Sequence, residues 1–431
     1  MVRFLFVTQT AHPWGGVETW LEGLAGSLAK DHDVTLGLVR GRKFHDPDRY
    51  RAARLLSVPS IDIAAPTGTA EGRVRALGAA IARTAPDVVI PVNIADTLEA
   101  VRRQKARRRD IRLFYPLHGL GADYLADVRA YAGLIDLAVA TNRLAERALM
   151  TISGMARERV DYVPYGVEPA VDPPSFSPSS PLRLLYSGRL EQEQKRVRDL
   201  IPLCQELDRR GVSYELNIVG EGEEGSALRN ALSGNERVRF SGLLSRKELY
   251  DQVYPEAQIL ILLSAWETGP IVALEAMAHG ATLVTTSYRG LQAEGRIVHE
   301  VNALIGGVGD VPALASAVQL LDEDRKLLDR LRRAAFDTVN PSCSLESSLL
   351  GWRASFERGL ALPIVSGLER ASAPKPAGRL DGLFGVSLAE TIRAAAGLGM
   401  MHREPGAEWP HTMGRPSDAE AIEESLAELD R

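Results

Sequence analysis

The chain has 431 residues, too many for one ordinary hydrophobic core, so we expect two domains. Hydrophobic residues make up 45% and charged residues 25%, as in globular proteins, and the net charge of −5 gives no general attraction to nucleic acid or anionic membranes. Only Cys204 and Cys343 occur, which excludes a disulfide framework or a zinc cluster and indicates a reducing compartment. Because no apolar run has the length of a signal peptide or a membrane span, we expect a cytoplasmic protein, with peripheral membrane contact left open.

The first part of the chain alternates apolar strands with amphipathic helices. We predict strands over 2–7, 33–39, 87–92, 113–118 and 134–140, a helix over 73–84, and a long irregular loop over 44–69. This alternation indicates a doubly wound α/β domain with a parallel sheet. After the first strand comes AHPWGGVE (11–18), a glycine turn that opens a helix; it is not GxGxxG, so dinucleotide binding is not supported.

The run VRRQKARRRDIR (101–112) is the most basic stretch of the chain. One interpretation is a patch for anionic lipid head groups or for a polyanionic acceptor. The other is a solvated helix face that leads into the next strand. We favour the second by about two to one, because no aromatic residues interleave with the cations.

A Pro- and Ser-rich stretch at 169–181 reads as a linker, and a second set of strands and helices follows it. We predict strands over 182–187, 214–219, 237–241, 257–263 and 281–286 and helices over 246–254, 311–321, 324–339 and 344–362. Another linker at 371–378 leads to helices at 388–398 and 417–429, the last one acidic. This tail could dock on the protein or on a partner, or be partly disordered.

The stretch SAWETGPIVALEAMAHG (264–280) is the most informative one in the chain. Gly269 and Pro270 open a helix after a buried strand, so the loop offers free backbone N–H groups and the positive end of a helix dipole, a natural phosphate site. Glu267 in the loop and Glu275 in the helix would accept hydrogen bonds from sugar hydroxyls. For a lone carboxylate pair at this spacing, a capping Glu267 and a solvated Glu275 would be the better interpretation.

Gly188, Arg189 and Leu190 follow the predicted strand 182–187, and Lys195 comes six residues after Arg189. Two cations at a strand end would neutralise a diphosphate and the charge that grows on it as a sugar leaves. The alternative is ordinary surface charge, since Arg and Lys are mostly exposed.

Together these segments resemble the GT4-type retaining glycosyltransferases. The resemblance covers about residues 1–362 and rests on GG-x-E near the N-terminus, then GRL…K, FSG (240–242) and E-x7-E (267–275), in that order. It implies the GT-B fold: α/β, with two Rossmann-like doubly wound domains facing across a cleft, plus a C-terminal helical tail. The expected divisions are an acceptor domain (1–168), a linker (169–181), a nucleotide-sugar domain (182–340), a helix crossing back (341–362) and the tail (363–431).

The resemblance also assigns roles to residues. Glu267 would contact the donor sugar and Glu275 the ribose, while Arg189 and, by preference, Lys195 would reach the diphosphate. The remaining expected contacts with donor are His118, Gly15 and Gly16 from the first domain, and Gly188, Leu243, Thr268, Gly269, Pro270 and Ile271 from the second.

The predicted function is sugar transfer from a UDP- or GDP-linked donor to an unidentified acceptor (a glycan, a lipid-linked molecule, a small molecule or a polyanion), with retention and without a metal or cofactor. Two alternatives are a sugar-nucleotide epimerase or hydrolase on the same fold, and a non-catalytic protein that binds sugar nucleotides.

Overall fold

A computed structural model describes residues 1–13, 15–54, 56–107, 110–168, 170, 181–365, 367 and 376–431. The predicted linker 169–181 lies almost wholly outside the described residues, as does most of the predicted linker 371–378. Two of the arginines of the basic run, at 108 and 109, also lie outside them.

In the described residues thirteen strands form two sheets, and every strand pair within them is parallel. The seven strands of the first sheet are β1 (Arg3–Thr8), β2 (Asp33–Arg40), β3 (Ser60–Ala64), β4 (Val88–Val92), β5 (Arg112–Leu117), β6 (Leu137–Ala140) and β7 (Val160–Tyr162). The six strands of the second are β8 (Leu182–Ser187), β9 (Tyr214–Val219), β10 (Val238–Gly242), β11 (Ile259–Leu262), β12 (Thr282–Thr286) and β13 (Ala303–Gly306).

The α-helices of the described residues, in chain order, are α1 (Gly16–Leu28), α2 (Pro47–Ala53), α3 (Ala70–Thr84), α4 (Asp96–Lys105), α5 (Ala122–Tyr131), α6 (Arg143–Thr151), α7 (Leu200–Arg209), α8 (Gly225–Leu232), α9 (Arg246–Glu248), α10 (Ile271–Ala278), α11 (Leu291–Glu294), α12 (Val311–Glu323), α13 (Arg325–Val339), α14 (Leu345–Ala361), α15 (Arg379–Ala395), α16 (Pro405–Glu408) and α17 (Ala419–Leu429). In the part of the chain that the structure describes, no helix combines the length and the apolar character that crossing a bilayer would take.

The first compact unit comprises residues 1–141, 145–163 and 349–426. Its sheet runs in the order β3-β2-β1-β4-β5-β6-β7, so the chain steps outward from β1 in one direction and then returns to continue on the other side. The strand interiors are apolar and almost fully buried, as parallel strands covered on both faces must be. From α14, Trp352 packs against Trp20 and Phe356 against Phe4, which makes that helix part of this core.

The second compact unit comprises residues 142–144, 164–348 and 427–431. Its sheet has the order β10-β9-β8-β11-β12-β13, the same outward-then-return pattern. Two apolar layers cover its faces, one carrying Leu200, Val318 and Leu328 and the other carrying Met277, Leu274 and Tyr254. Both sheets therefore have the Rossmann-like order, in which ligands bind at the carboxyl ends of the strands where the order reverses.

The predicted long loop 44–69 is wrong in two places, because it contains α2 and β3. Asp46 caps α2 through Asp48 N at 3.0 Å and Pro47 occupies its first turn, so the helix forms from local signals despite its polar composition. β3 is an edge strand that pairs only with β2 and is partly exposed, which is why it lacks a strong apolar pattern.

Two predicted helices need correction, and two strands were missed. The helix over 246–254 is a short α-turn followed by a π-helical turn, Leu249–Val253, and a 3₁₀ turn. The strands β7 and β13 were not predicted; both are short edge strands. In the tail, the helix expected at 388–398 begins earlier, as α15, with a kink at Gly385.

Candidate functional site

The loops after β8 and β11 diverge at the point where the strand order of the second sheet reverses. β8 lies between β9 and β11, so the chain leaves β8 toward one side and leaves β11 toward the other. Such a divergence opens a crevice at the carboxyl edge of the sheet. Gly188 and Arg189 follow β8 directly, and Glu267 follows β11 by five residues.

Glu267 and Lys195 form an ion pair at this edge. Lys195 Nζ lies 2.6 Å from Glu267 Oε1, and the side chains are 14% and 5% exposed. Ser264 Oγ donates to the same carboxylate oxygen at 2.5 Å, and Gln194 Nε2 donates to Oε2 at 3.4 Å. Side chains from two separate loops thus converge on one carboxylate.

The loop that carries Lys195 is fixed by a second carboxylate. Glu191 accepts the backbone N–H groups of Gln194 at 3.0 Å and of Lys195 at 2.9 Å. Arg189 is exposed, and its guanidinium donates to Gln194 Oε1 at 2.9 Å. Gln194 therefore links Arg189 to Glu267, so the two predicted cations and the predicted carboxylate belong to one network.

The helix α10 begins beside this network. Gly269 has φ of 114°, a conformation that favours glycine, and Pro270 precedes the first helical residue, Ile271. Proline has no polar side-chain atom, and this helix end has no side-chain cap. The first-turn amides and the helix dipole therefore remain available to an anion near Thr268 and Ile271.

Glu275 lies on α10 and is held by two tyrosines. Tyr250 donates to its Oε1 at 2.9 Å and Tyr254 to its Oε2 at 2.6 Å. The π-helical turn widens the backbone between these tyrosines, and such turns are frequent at functional sites. Burial raises the pKa of the Glu275 carboxyl above its ordinary value, and the hydrogen bonds from Tyr254 and Tyr250 oppose that shift.

Gly188 and Leu243 complete the predicted residues of the second unit. Gly188 has φ of 154°, and a Cβ added at Gly220, after β9, would lie only 1.9 Å from its carbonyl oxygen. The loops after β8 and β9 can approach this closely because both are glycine there. Leu243, after β10, is 51% exposed, as single surface leucines often are, so its assigned contact with the donor stays a prediction.

The first unit holds the other three predicted residues. Gly16 begins α1 and Gly15 precedes it, so they lie at the helix N-terminus that follows β1. His118, directly after β5, is buried, and its ring contacts the Trp20 ring edge-on with centroids 4.5 Å apart. Burial lowers the pKa of His118 to about 3, so this imidazole is neutral at physiological pH.

Most of the described cations of the basic run take part in internal contacts. Arg102 and Arg103 pair with Glu99 at 2.7 and 2.8 Å, and Arg103 also pairs with Glu71 at 2.8 Å. Lys105 is buried and pairs with Asp136 at 2.9 Å. These contacts favour the helix-face interpretation; contact with a membrane or a polyanion stays a prediction.

Sequence reasoning missed four polar groups of the site: Ser264, Gln194, Tyr250 and Tyr254. A signal existed for the tyrosines, which are four residues apart just before a buried strand and so share a helical face. Ser264 and Gln194 adjoin residues that were singled out, but only the folded loops show that both reach Glu267.

Parts of the chain are similar to known proteins. Residues 181–324 match the model of the family described as glycosyl transferases group 1. Over 210 residues the chain is 29% identical to lipopolysaccharide 1,6-galactosyltransferase of Salmonella typhimurium. This alignment covers 47% of this chain and 56% of that protein. Over 160 residues it is 34% identical to glycogen synthase of Mycobacterium tuberculosis, covering 36% of this chain and 38% of that protein. The chain thus spans about half, or less, of the length of these relatives.

The solved structure of HepE from Anabaena in complex with UDP and glucose aligns with a TM-score of 0.65. The alignment covers 83% of this chain and all of HepE at 17% identity, a level that supports the fold alone. The chain has the GT-B fold that the resemblance implied, with a 7-stranded and a 6-stranded Rossmann-like sheet and a helical C-terminal tail.

Proposed function

We propose that the protein is a retaining glycosyltransferase that moves a sugar from a UDP- or GDP-linked donor to an acceptor without a metal ion. The family match of residues 181–324 and the partial likeness to a galactosyltransferase and a glycogen synthase support the reaction class. The HepE structure, titled as a complex with UDP and glucose, shares the fold and supports a uridine nucleotide as the first donor to try.

One observation carries the proposal: Lys195, Glu267 and the uncapped start of α10 meet where the strand order of the second sheet reverses. A cation, a carboxylate and free backbone amides in one crevice match the three parts of a sugar diphosphate. The cation and the amides suit the phosphates, and the carboxylate suits the hydroxyls.

In this proposal the bond between the sugar's anomeric carbon and the phosphate oxygen breaks as the acceptor oxygen bonds to the same carbon on the same face. The leaving phosphate oxygen takes the acceptor's proton. Lys195, Arg189 and the backbone N–H groups of Gly269 and Ile271 stabilise the charge that grows on the diphosphate, as preorganised donors do. Glu267 positions the sugar, and Glu275, whose oxygens retain lone pairs beside the tyrosine hydroxyls, holds the ribose.

The proposed role of the first unit is to bind the acceptor, and the resemblance assigns contacts with the donor to three of its residues. Gly15 and Gly16 would allow close approach to the donor, since neither carries a side chain. His118 would act as a neutral hydrogen-bonding or packing group near the donor sugar, because a pKa of about 3 leaves no proton to donate as an acid at neutral pH.

The test begins with thermal shifts on a panel of UDP- and GDP-sugars, followed by transfer assays with the donor that binds. Glu267→Ala should reduce transfer sharply while the melting temperature stays near that of the wild type. Glu256→Ala removes a carboxylate of which 60% is exposed and serves as the matched control. Full activity of the Glu267 variant would remove the mechanism.

The same assays separate the alternatives. Rapid donor turnover with no acceptor present would favour an epimerase or a hydrolase. Donor binding by calorimetry without any turnover would favour a non-catalytic binding protein. Metal independence is tested with EDTA, which should leave transfer unchanged; loss of transfer restored by Mg²⁺ or Mn²⁺ would contradict it.

A further inference from the structure

The C-terminal segment 398–413, here called the strap, crosses the carboxyl edge of the first sheet. It forms hydrogen bonds at or after the ends of four strands, β2 to β5. At β2, Trp409 Nε1 donates to Arg40 O (3.3 Å), and after β3, Met400 N donates to Thr67 O (2.8 Å). After β4, Ala95 N donates to Pro410 O (3.0 Å), and after β5, Thr412 Oγ1 donates to Asp123 Oδ2 (2.9 Å). The indole of Trp409 is 1% exposed. The strap is therefore a built part of this edge.

Glu408 is the main attachment of the strap. Its carboxylate accepts four consecutive backbone N–H groups, those of residues 42–45, at 2.7 to 3.0 Å, and it lies 3.1 Å from His45 Nδ1. The side chain is 2% exposed. A Cβ at Gly41 would lie 2.0 Å from this carboxylate, so the loop after β2 closes around Glu408 only because glycine is there.

A second buried carboxylate, Glu390 of α15, fixes the chain ahead of the strap. It accepts the hydroxyls of Thr67 at 2.6 Å and of Thr69 at 2.5 Å. Thr69 also caps α3 through Gly72 N at 3.0 Å. The tail thus holds the loops after β2 and β3 through charge-assisted hydrogen bonds, the strong class of such bonds.

The carboxyl edge of a doubly wound sheet is where its ligand binds. In the first unit the strap lies on four of the loops that form this edge, so whatever binds there must share the space with it. If the second unit takes the nucleotide sugar, the ligand left for this edge is the acceptor.

We propose that the strap is a specificity element for the acceptor: it narrows the carboxyl edge of the first sheet and excludes acceptors too bulky to lie beside it. This inference rests on the proposed function. Glu408 is a positioning residue, because it acts on the acceptor through the strap and the loop 42–45.

The test uses the full-length chain with Glu408→Gln, which keeps the size of the side chain but replaces one acceptor oxygen by an NH₂ group facing backbone donors. The matched control is Glu404→Gln, four residues earlier in the strap and exposed. Release of the strap is measured by hydrogen exchange at the amides of 42–45. If those amides stay protected from exchange, the double variant Glu390→Gln/Glu408→Gln is measured in the same way. Protected amides in the double variant would mean that these carboxylates do not hold the strap, and that result would overturn the proposal.

Transfer is then compared between methyl glucoside and malto-oligosaccharides of two to seven residues. In the released variant, kcat/KM for the longest acceptor relative to the shortest should rise at least tenfold, while the donor KM and the rate of donor hydrolysis stay unchanged. If Glu408 had only a structural role, its loss would lower kcat/KM for every acceptor by the same factor. An unchanged ratio of kcat/KM between the longest and the shortest acceptor in the released variant would therefore contradict this inference but not the proposed function. Absence of transfer by the wild type to any acceptor would end the proposed function and this inference with it.

Discussion

Among the residues that the structure describes, each unit contains one well-buried lysine–carboxylate pair, and the two pairs differ in what surrounds them. In the first unit, Lys105 and Asp136 lie 2.9 Å apart with side chains 1% and 0% exposed. In the second, Lys195 and Glu267 lie 2.6 Å apart, and Lys195 is 14% exposed. Asp136 directly precedes β6, so the first pair lies at the amino end of that strand. The second pair lies at the carboxyl edge of its sheet.

The partners of the carboxylates explain the difference. Asp136 accepts the backbone N–H groups of Leu113 and Val365, both at 2.8 Å, so its lone pairs serve the fold. Besides Lys195, Glu267 accepts hydrogen bonds from the side chains of Ser264 and Gln194, which can exchange for ligand hydroxyls. Burial of a charge therefore does not by itself mark a site; the kind of partner and the edge of the sheet do.

We expect the largest effect, a loss of stability, from breaking the pair of Lys105 and Asp136. Asp136→Ala leaves Lys105 buried without its counter-charge and frees two backbone donors, so the free energy of unfolding should fall by about 3–5 kcal/mol. Chemical denaturation measures it, with Asp251→Ala, from an exposed pair with Lys247, as the control that should change it by less than about 1 kcal/mol. Transfer per folded molecule should stay near that of the wild type; a loss there would place Asp136 in the chemistry.

Breaking the site pair comes next. Lys195→Ala removes a cation proposed to stabilise the leaving diphosphate, and transfer should fall roughly 10²- to 10³-fold, by analogy with loss of one preorganised donor. Lys247→Ala, whose side chain is 84% exposed, is the matched control and should keep full activity. Equal transfer rates for the two variants would contradict the assignment of Lys195.

A smaller effect should come from the tyrosines on Glu275. Tyr254→Phe removes one hydrogen bond to a carboxylate, so we expect donor affinity to fall about tenfold, near the low end of what such bonds contribute. Calorimetric titration with the nucleotide measures it. Tyr50→Phe removes a buried hydroxyl that has no partner among the described residues, and should leave affinity unchanged.

The effect that is smallest at neutral pH concerns His118, which burial keeps neutral. Its pKa is lowered to about 3, so between about 3 and 6.5 the unfolded chain binds a proton there that the folded chain does not. Its contribution to stability is therefore complete above about 6.5 and is lost as the pH falls, by at most about 1.4 kcal/mol per pH unit. His118→Leu should flatten the pH dependence of unfolding between those values. An unchanged slope in the His118 variant would contradict the burial argument.

The sequence predicted the central strands of both sheets well, because buried parallel strands are continuous apolar runs. β8 and β9 begin and end where the pattern predicted, and β1 and β2 differ by a residue. The edge strands β3, β7 and β13 were not predicted, because edge strands are short and often partly polar. The break in the helix after Ser245 could not be foreseen, since a π-helical turn has no sequence signature of its own.

The candidate site was predicted in part. Glu267, Lys195 and Arg189 were named from the sequence, and the structure brings them into one network through Gln194. Ser264 was missed because its contact with Glu267 depends on the exact path of one loop. The tyrosines on Glu275 were missed because they lie more than 20 residues from it along the chain. The docking of the tail was left open for the same reason: Glu408 reaches a loop more than 360 residues earlier.

The most direct test of the central claim, that the crevice beside Lys195 and Glu267 binds a sugar diphosphate, is calorimetry with UDP-glucose, UDP-galactose and GDP-mannose. At least one of them should bind the wild type, and Lys195→Ala should weaken that binding at least tenfold while Lys247→Ala leaves it unchanged. Equal affinity of the wild type and Lys195→Ala for the bound nucleotide sugar would contradict the account.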